Sequence, residues 1–175
     1  MDLLVFPTED GWCAEIGGKR FRCAIGYGGI RPADEKREGD GATPIGRWPV
    51  RSLLFRPDKG RPPATELTAT PISQQDGWCD DPASEDYNRP VTLPFSASHE
   101  KLWRDDGVYD LLVVLAHNDD PPRPGAGSAI FLHCARDDFK PTEVCVALQR
   151  PDLEEVLGLL RPGDAVVVMA EAPGA

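Results

Sequence analysis

Residues 109–148 read YDLLVVLAHNDDPPRPGAGSAIFLHCARDDFKPTEVCVAL, and they give the clearest indication of the fold. It contains three apolar runs, at residues 109–116, 128–133 and 145–148, separated by segments rich in proline, glycine and aspartate. Short and nearly continuous apolar runs are typical of strands that are buried on both faces. We therefore predict three such strands in this half of the chain.

One amphipathic helix is predicted directly after these runs, at residues 151–160. Pro151 suits the first helical position, and Asp152 suits the N-terminal end of the helix dipole. Apolar residues follow at the helical spacing i, i+3, i+4, i+7, namely Leu153, Val156, Leu157 and Leu160. The sequence Arg161-Pro162-Gly163 ends the helix, and residues 165–169 predict a closing strand.

The N-terminal half consists of shorter runs. We predict strands at residues 3–6, 12–16, 20–25, 47–54 and 66–72, loops at residues 26–46 and 55–64, and turns over residues 76–94. His99 is predicted on an exposed helical turn. The fold class that follows is mainly β: a single domain over residues 1–175, a sandwich or barrel with one helix packed on it near the C-terminus.

Composition and charge exclude several classes of function. The net charge of −10 disfavours a nucleic-acid partner, because binding to phosphates depends on clustered lysine and arginine. No apolar run approaches the roughly 20 residues that span a bilayer, so no membrane partner is expected. The first residues, MDLLVFPTEDGW, lack the basic and apolar segments of a secretory signal. We expect a cytoplasmic location, with a periplasmic location as the alternative.

The cysteines do not suggest a disulfide framework. There are five, an odd number without C-x-x-C spacing, and reduced thiols are the simplest interpretation: Cys13, Cys23, Cys79, Cys134 and Cys145. The first three are predicted to be packing residues. Cys134 is predicted to face away from its neighbour His133, because side chains alternate along a strand.

His133 and Cys145 are the candidate catalytic pair. A thiol attacks as the thiolate and needs a base within hydrogen-bond reach, most often an imidazole. If the two strands pair, we expect the connection at residues 134–144 to fold over one end of the sheet, where both side chains meet. Taken alone, such a histidine is more often structural and such a cysteine more often a small buried residue, so spacing does not decide.

Longer motifs add to this pair. The chain resembles the catalytic domain of the L,D-transpeptidase (YkuD) family from about residue 26 to residue 168. The resemblance is carried by YDLLVVLAHN at 109–118, PGAGSAIFLH at 124–133, PTEVCVAL at 141–148, GDGATPIG at 39–46, and WCD at 78–80 with YN at 87–88.

The resemblance implies a cysteine acyl-enzyme mechanism without a metal or another cofactor. Cys145 is the implied nucleophile and His133 the implied base, and the backbone N–H groups around Val144 and Val146 are expected to bind the oxyanion. Thr142 either hydrogen-bonds near His133 or caps the turn. Tyr87 and Asn88 are further candidates for oxyanion or substrate contacts.

The implied partners are peptidoglycan stem peptides or muropeptides, cleaved between meso-diaminopimelate and D-Ala. Carbapenem β-lactams are expected to acylate the same cysteine. We favour a cytoplasmic L,D-carboxypeptidase of peptidoglycan recycling, and a transpeptidase that forms 3→3 cross-links or exchanges D-amino acids is the alternative.

The sequence departs from the family pattern at two positions near the nucleophile. Val144 replaces the motif's glycine, and a β-branched residue strongly disfavours a positive φ, so a turn that needs this conformation is distorted or rebuilt. Ala147 stands where the exported branches usually carry an arginine that contacts the substrate carboxylate.

Two other classes of function stay open at this point. His117, His133 and either Cys145 or Asp137 are a loose candidate set for a zinc-dependent hydrolase, although no H-E-x-x-H spacing supports it. The second class is a binding module that has the fold of the family but no catalytic activity. The only sequence feature that suggests it is Val144 in place of the motif's glycine.

Overall fold

The fold is built almost entirely from short strands. A computed structural model describes residues 1–174, and within them it shows thirteen β-strands and one α-helix. In chain order they are β1 Leu3–Thr8, β2 Gly11–Ile16, β3 Lys19–Ala24, β4 Ile30–Pro32, β5 Thr43–Phe55, β6 Ala69–Pro71, β7 Asp76–Cys79, β8 Pro90–Thr92, β9 His99–Lys101, β10 Leu111–Leu115, β11 Phe131–Cys134, β12 Val146–Leu148, α1 Arg150–Leu159 and β13 Ala165–Val168.

Eight of the strands close into a ring. The hydrogen-bonded order runs β5-β10-β11-β12-β3-β2-β1-β13 and returns to β5. The long strand β5 makes the closure, because its first half pairs with β13 and its second half pairs with β10. The fold is therefore a barrel, one of the two forms that the sequence predicts.

The barrel interior holds the main core. Alternate residues of the central strands point inward, so that Leu132, Cys134, Val146 and Leu148 all lie in this core. The helix α1 buries Leu153, Val156 and Leu157 in it, which are members of its predicted apolar stripe. Each fully buried aliphatic side chain of this kind contributes about 1.5–3 kcal/mol to stability.

A second apolar cluster covers the outside of the barrel wall. The short strands β7, β8 and β9 form a three-stranded sheet there, in the order β8-β7-β9. Trp78 of this sheet packs edge-on against Phe131 of β11, with 5.1 Å between the ring centroids. Tyr109, Leu112 and Cys145 belong to the same cluster. The central apolar runs are continuous because both faces of these strands are covered, one by the core and one by this cluster.

The predicted fold class, mainly β with one packed helix near the C-terminus, is confirmed. Several element predictions are wrong. The predicted loop at residues 26–46 contains β4 and the beginning of β5, and the predicted turns at residues 76–94 contain β7 and β8. His99 lies on β9 and not on a helical turn. The strand predicted at residues 128–133 begins only at Phe131, because Ala129 has a φ of 53°.

The pairing of β11 with β12 also differs from the expectation. The two strands are parallel, so residues 135–145 cross from one end of the sheet to the other and do not fold over a single end. Among residues 1–174 there is no helix of the length and apolar character that crossing a membrane requires.

Candidate active site

Two neighbouring barrel strands bring Cys145 and His133 to one cavity. In the parallel register His133 lies beside Ala147, and Cys145 directly precedes β12. The cysteine is therefore two residues from the level of the histidine on the same face of the sheet. Both side chains line a cavity of about 100 Å³, together with Ala147 and Tyr109. The two side chains thus share a cavity because of the parallel register, and not because of the strand-end meeting that the spacing suggests.

The thiol of Cys145 is buried and held by backbone groups. Its Sγ donates to the carbonyl of Ala129 at 3.2 Å and accepts from the N–H of Phe131 at 3.3 Å. Only 3% of the residue is exposed, and this burial raises the pKa of the thiol well above its ordinary value, with the Glu100 carboxyl adding to the effect. The cysteine rests as a neutral thiol and needs a base to become a nucleophile.

His133 is arranged as that base. Its Nδ1 lies 2.9 Å from the carbonyl oxygen of Cys134, and a carbonyl only accepts, so Nδ1 carries the proton and Nε2 is the free acceptor. Burial lowers the pKa of the imidazole to about 4, which keeps it unprotonated near neutral pH. The ring packs edge-on against Tyr109, with 5.3 Å between the centroids. Cys134 itself points into the barrel core, away from His133 as predicted.

Two threonine hydroxyls orient the backbone around the nucleophile. Thr142 Oγ1 donates to the carbonyl of Cys145 at 2.6 Å, and Thr43 Oγ1 donates to the carbonyl of Val144 at 2.8 Å. A trans peptide is planar, so fixing a carbonyl also fixes the N–H of the next residue in the opposite direction. Thr43 therefore orients the N–H of Cys145, and Thr142 orients the N–H of Val146. They belong to the segment around Val144 and Val146 whose N–H groups the sequence predicts as oxyanion donors, and that role stays a prediction.

Of the two roles left open for Thr142, the structure has the turn-capping one. Thr43 is a residue that the sequence reasoning missed. It is fully buried, and its hydroxyl also accepts from the N–H of Gly26 at 2.9 Å. The available signal is its place in the motif GDGATPIG at residues 39–46.

The turn before the nucleophile accommodates Val144 without strain. In the described chain the non-glycine residues with positive φ are Asn88, Asn118, Ala129 and Phe139, and Val144 is not one of them. Residue 144 therefore has an ordinary φ, which a β-branched residue adopts readily. The valine side chain packs against both the barrel core and the outer cluster.

Tyr87 and Asn88 lie behind the nucleophile and do not line its cavity. The Oδ1 of Asn88 accepts from the Trp78 indole at 2.9 Å and from the N–H of Ala129 at 3.0 Å. The hydroxyl of Tyr87 accepts from the N–H of Gly127 at 3.0 Å. Both residues fix the segment that presents the Ala129 carbonyl to the thiol, and their direct oxyanion or substrate contact stays a prediction.

The candidate zinc ligands do not converge. His117 lines a separate cavity beside Trp48, and Asp137 lines a third one. Among residues 1–174 no group of three or more His, Cys, Asp or Glu side chains is placed to hold a metal ion. The structure therefore gives the zinc-hydrolase alternative no support.

A β-barrel that presents a thiol and an unprotonated imidazole to one cavity fits a cysteine-dependent acyltransferase. The family model for the L,D-transpeptidase catalytic domain (YkuD) matches residues 8–168, nearly the whole chain. The chain therefore belongs to the L,D-transpeptidase family, whose members act on peptidoglycan peptides. Neither a curated protein nor a solved structure matches it.

Proposed function

We propose that this protein is an L,D-carboxypeptidase that removes the terminal D-Ala from peptidoglycan tetrapeptides, with Cys145 as nucleophile and His133 as base. The observation that carries the proposal is a buried thiol and a buried imidazole that line one cavity. Activation by a neighbouring base is the usual route for a thiol that is protonated at rest.

Acylation begins when the thiol leaves the Ala129 carbonyl and gives its proton to Nε2 of His133. The sulfur attacks the carbonyl carbon between meso-diaminopimelate and D-Ala, and the N–H groups of Cys145 and Val146 bind the oxyanion. Each such donor contributes roughly 3 kcal/mol to the transition state. The imidazolium then protonates the leaving nitrogen, the C–N bond breaks, and the tripeptide remains as a thioester on Cys145.

Two features favour water as the acceptor. The expected location is the cytoplasm, where no mature wall offers neighbouring stem peptides and water is always present. Ala147 also stands where the exported branches usually carry an arginine that contacts the substrate, so one contact with wall substrate is missing. Hydrolysis of the thioester releases the tripeptide and restores the thiol, which is the outcome of a carboxypeptidase.

The test is to incubate the protein with a purified disaccharide tetrapeptide and to analyse the products by mass spectrometry. We expect free D-Ala and disaccharide tripeptide, and neither with the Cys145→Ala variant. Dimers with a 3→3 link as the main product would contradict hydrolysis and establish the transpeptidase alternative. The proposal includes the cytoplasmic location, which fractionation of cells that express the tagged protein tests.

A carbapenem offers an independent test of the nucleophile. Opening of the β-lactam ring releases no leaving group, so the intact protein should gain the full mass of the drug. The Cys145→Ala variant retains four other cysteines, all of them buried, and should gain none. Labelling of the variant to the same extent would rule out Cys145 as the acylated residue.

A further inference from the structure

Two arginines stand at the cavity that holds the candidate nucleophile. Arg104 and Arg136 line it together with Cys145 and His133. Both guanidinium groups contact one carboxylate, that of Asp106. Arg104 binds it through two N–H groups, at 3.0 and 2.5 Å, and Arg136 through one, at 3.3 Å.

The charges of this trio do not cancel. Two positive groups share one negative group, on a chain whose net charge is −10. Of the other charged residues that line the cavity, Lys140 pairs with Asp138, and Glu100 and Glu143 are acidic. The carboxyl of Glu100 accepts from the Tyr109 hydroxyl at 2.6 Å. The cavity thus carries charges of both signs, and the arginine pair is its cationic part, with N–H donors that Asp106 leaves unused.

Arg104 is held in place before any ligand binds. Its guanidinium lies over the ring of Tyr109 at 5.2 Å from the centroid, and its backbone carbonyl accepts from the Arg56 side chain. Arg136 belongs to the connection between β11 and β12 and is half exposed. A fixed guanidinium fork matches a carboxylate with two parallel hydrogen bonds.

We propose that Arg104 and Arg136 bind the C-terminal carboxylate of the substrate, the one carried by the D-amino acid that leaves. This inference rests on the proposed function, because it names a group of the same substrate. The terminal carboxylate follows the attacked carbonyl carbon at about 4 Å, the spacing of successive residues across a peptide. It therefore lies within the cavity that Cys145 and the arginines share.

The other carboxylates of a stem peptide are farther from the reacting bond. Those of the D-Glu residue and of the diaminopimelate side chain are separated from the attacked carbonyl by several more bonds. Ala147, opposite His133, brings no charge to the cavity, so the cations come from other elements of the fold. If Arg104 and Arg136 bind the terminal carboxylate, they restrict cleavage to the last peptide bond of the substrate.

The experiment measures binding without turnover. The Cys145→Ala protein is titrated calorimetrically with the tetrapeptide and with the same peptide whose terminal carboxyl is an amide. We expect the acid to bind about 10- to 100-fold more tightly, as a charge-assisted contact would give. Adding Arg104→Gln or Arg136→Gln should shrink this ratio, and adding both should bring it near one. Arg51→Gln is the matched control, because Arg51 pairs with Asp119 and does not line this cavity.

Each outcome decides the proposal. Equal affinity for acid and amide would overturn it, as would a preference that survives both arginine substitutions. A peptide amidated only on the diaminopimelate side chain serves as a third ligand, and a larger loss with it than with the terminal amide would also overturn the assignment. Turnover by the wild-type protein is scored separately, so failure to cleave the tetrapeptide bears on the proposed function and not on this contact.

Discussion

Thr43 offers the sharpest test of how the site is assembled. Replacing it with valine keeps the shape of the side chain and removes the hydroxyl, which leaves the N–H of Gly26 and the carbonyl of Val144 without this partner. A buried polar group that loses its partner costs about 1–3 kcal/mol. Thr43→Val should therefore lower the free energy of unfolding by roughly 2–4 kcal/mol, as measured by urea denaturation at equilibrium.

The effect on catalysis should be separable from this loss of stability. If the Thr43 hydroxyl orients the N–H of Cys145, its removal weakens one oxyanion donor, and loss of a whole donor costs about 10²–10³ in kcat. We expect kcat for D-Ala release to fall about 10- to 100-fold at temperatures where the variant is folded, with KM nearly unchanged. Thr43→Ser keeps the hydroxyl and should restore most of kcat. A Thr43→Val protein with reduced stability and wild-type kcat would refute the orienting role.

Four further predictions follow from the same contacts. Cys145→Ala and His133→Ala should each lower D-Ala release by orders of magnitude, and the double variant should be little worse than either, whereas additive losses would contradict a single catalytic unit. Val144→Gly should lower the free energy of unfolding by about 2 kcal/mol without raising kcat, because the valine packs on two clusters at an ordinary φ, and a faster enzyme would contradict this. Burial lowers the pKa of both His133 and His117 to about 4, so from about pH 6.5 down to about pH 4 protons bind the unfolded chain preferentially. Stability should fall over that window by up to roughly 3 kcal/mol per imidazole, and a His117→Gln variant with an unchanged pH profile would argue against it. Asn88→Ala should lower the melting temperature by several degrees and slow acylation by a carbapenem, because it frees the N–H of Ala129 behind the thiol, while an unchanged acylation rate would limit Asn88 to stability.

The sequence predicts the central strands well because both of their faces are buried. Apolar residues then follow one another without interruption, as in β10 and β12. The helix α1 is predicted because only one of its faces is buried, which gives its apolar residues the helical period. The strands β7, β8 and β9 have only three or four residues each and lie among turn-forming residues, too short for an alternating pattern. Their pairing is set by contacts with the barrel wall, which local sequence does not report.

The residues of the candidate site likewise include some that the sequence predicts and some that it does not. The sequence suggests Cys145 and His133 because their residue types can carry the chemistry and most of the motif residues around them are present. It does not suggest Thr43 or Arg104, because Thr43 reaches the site through a backbone carbonyl about a hundred residues away and Arg104 through a shared cavity. The parallel pairing of β11 and β12 depends on how the whole ring closes. The spacing of His133 and Cys145 alone suggested instead that the connection folds over one end of the sheet.

The last strand of the ring has a consequence for how the protein is made. During synthesis β1 emerges well before its partner β13 at residues 165–168, where Val166 pairs with Leu3. Until that segment is released, β1 and β5 each present an open edge to neighbouring chains. Contacts between such distant parts of a chain also form slowly. Nascent chains are therefore exposed to misassembly until β13 has emerged, and a protein that stops before Ala165 should accumulate with chaperones or in aggregates.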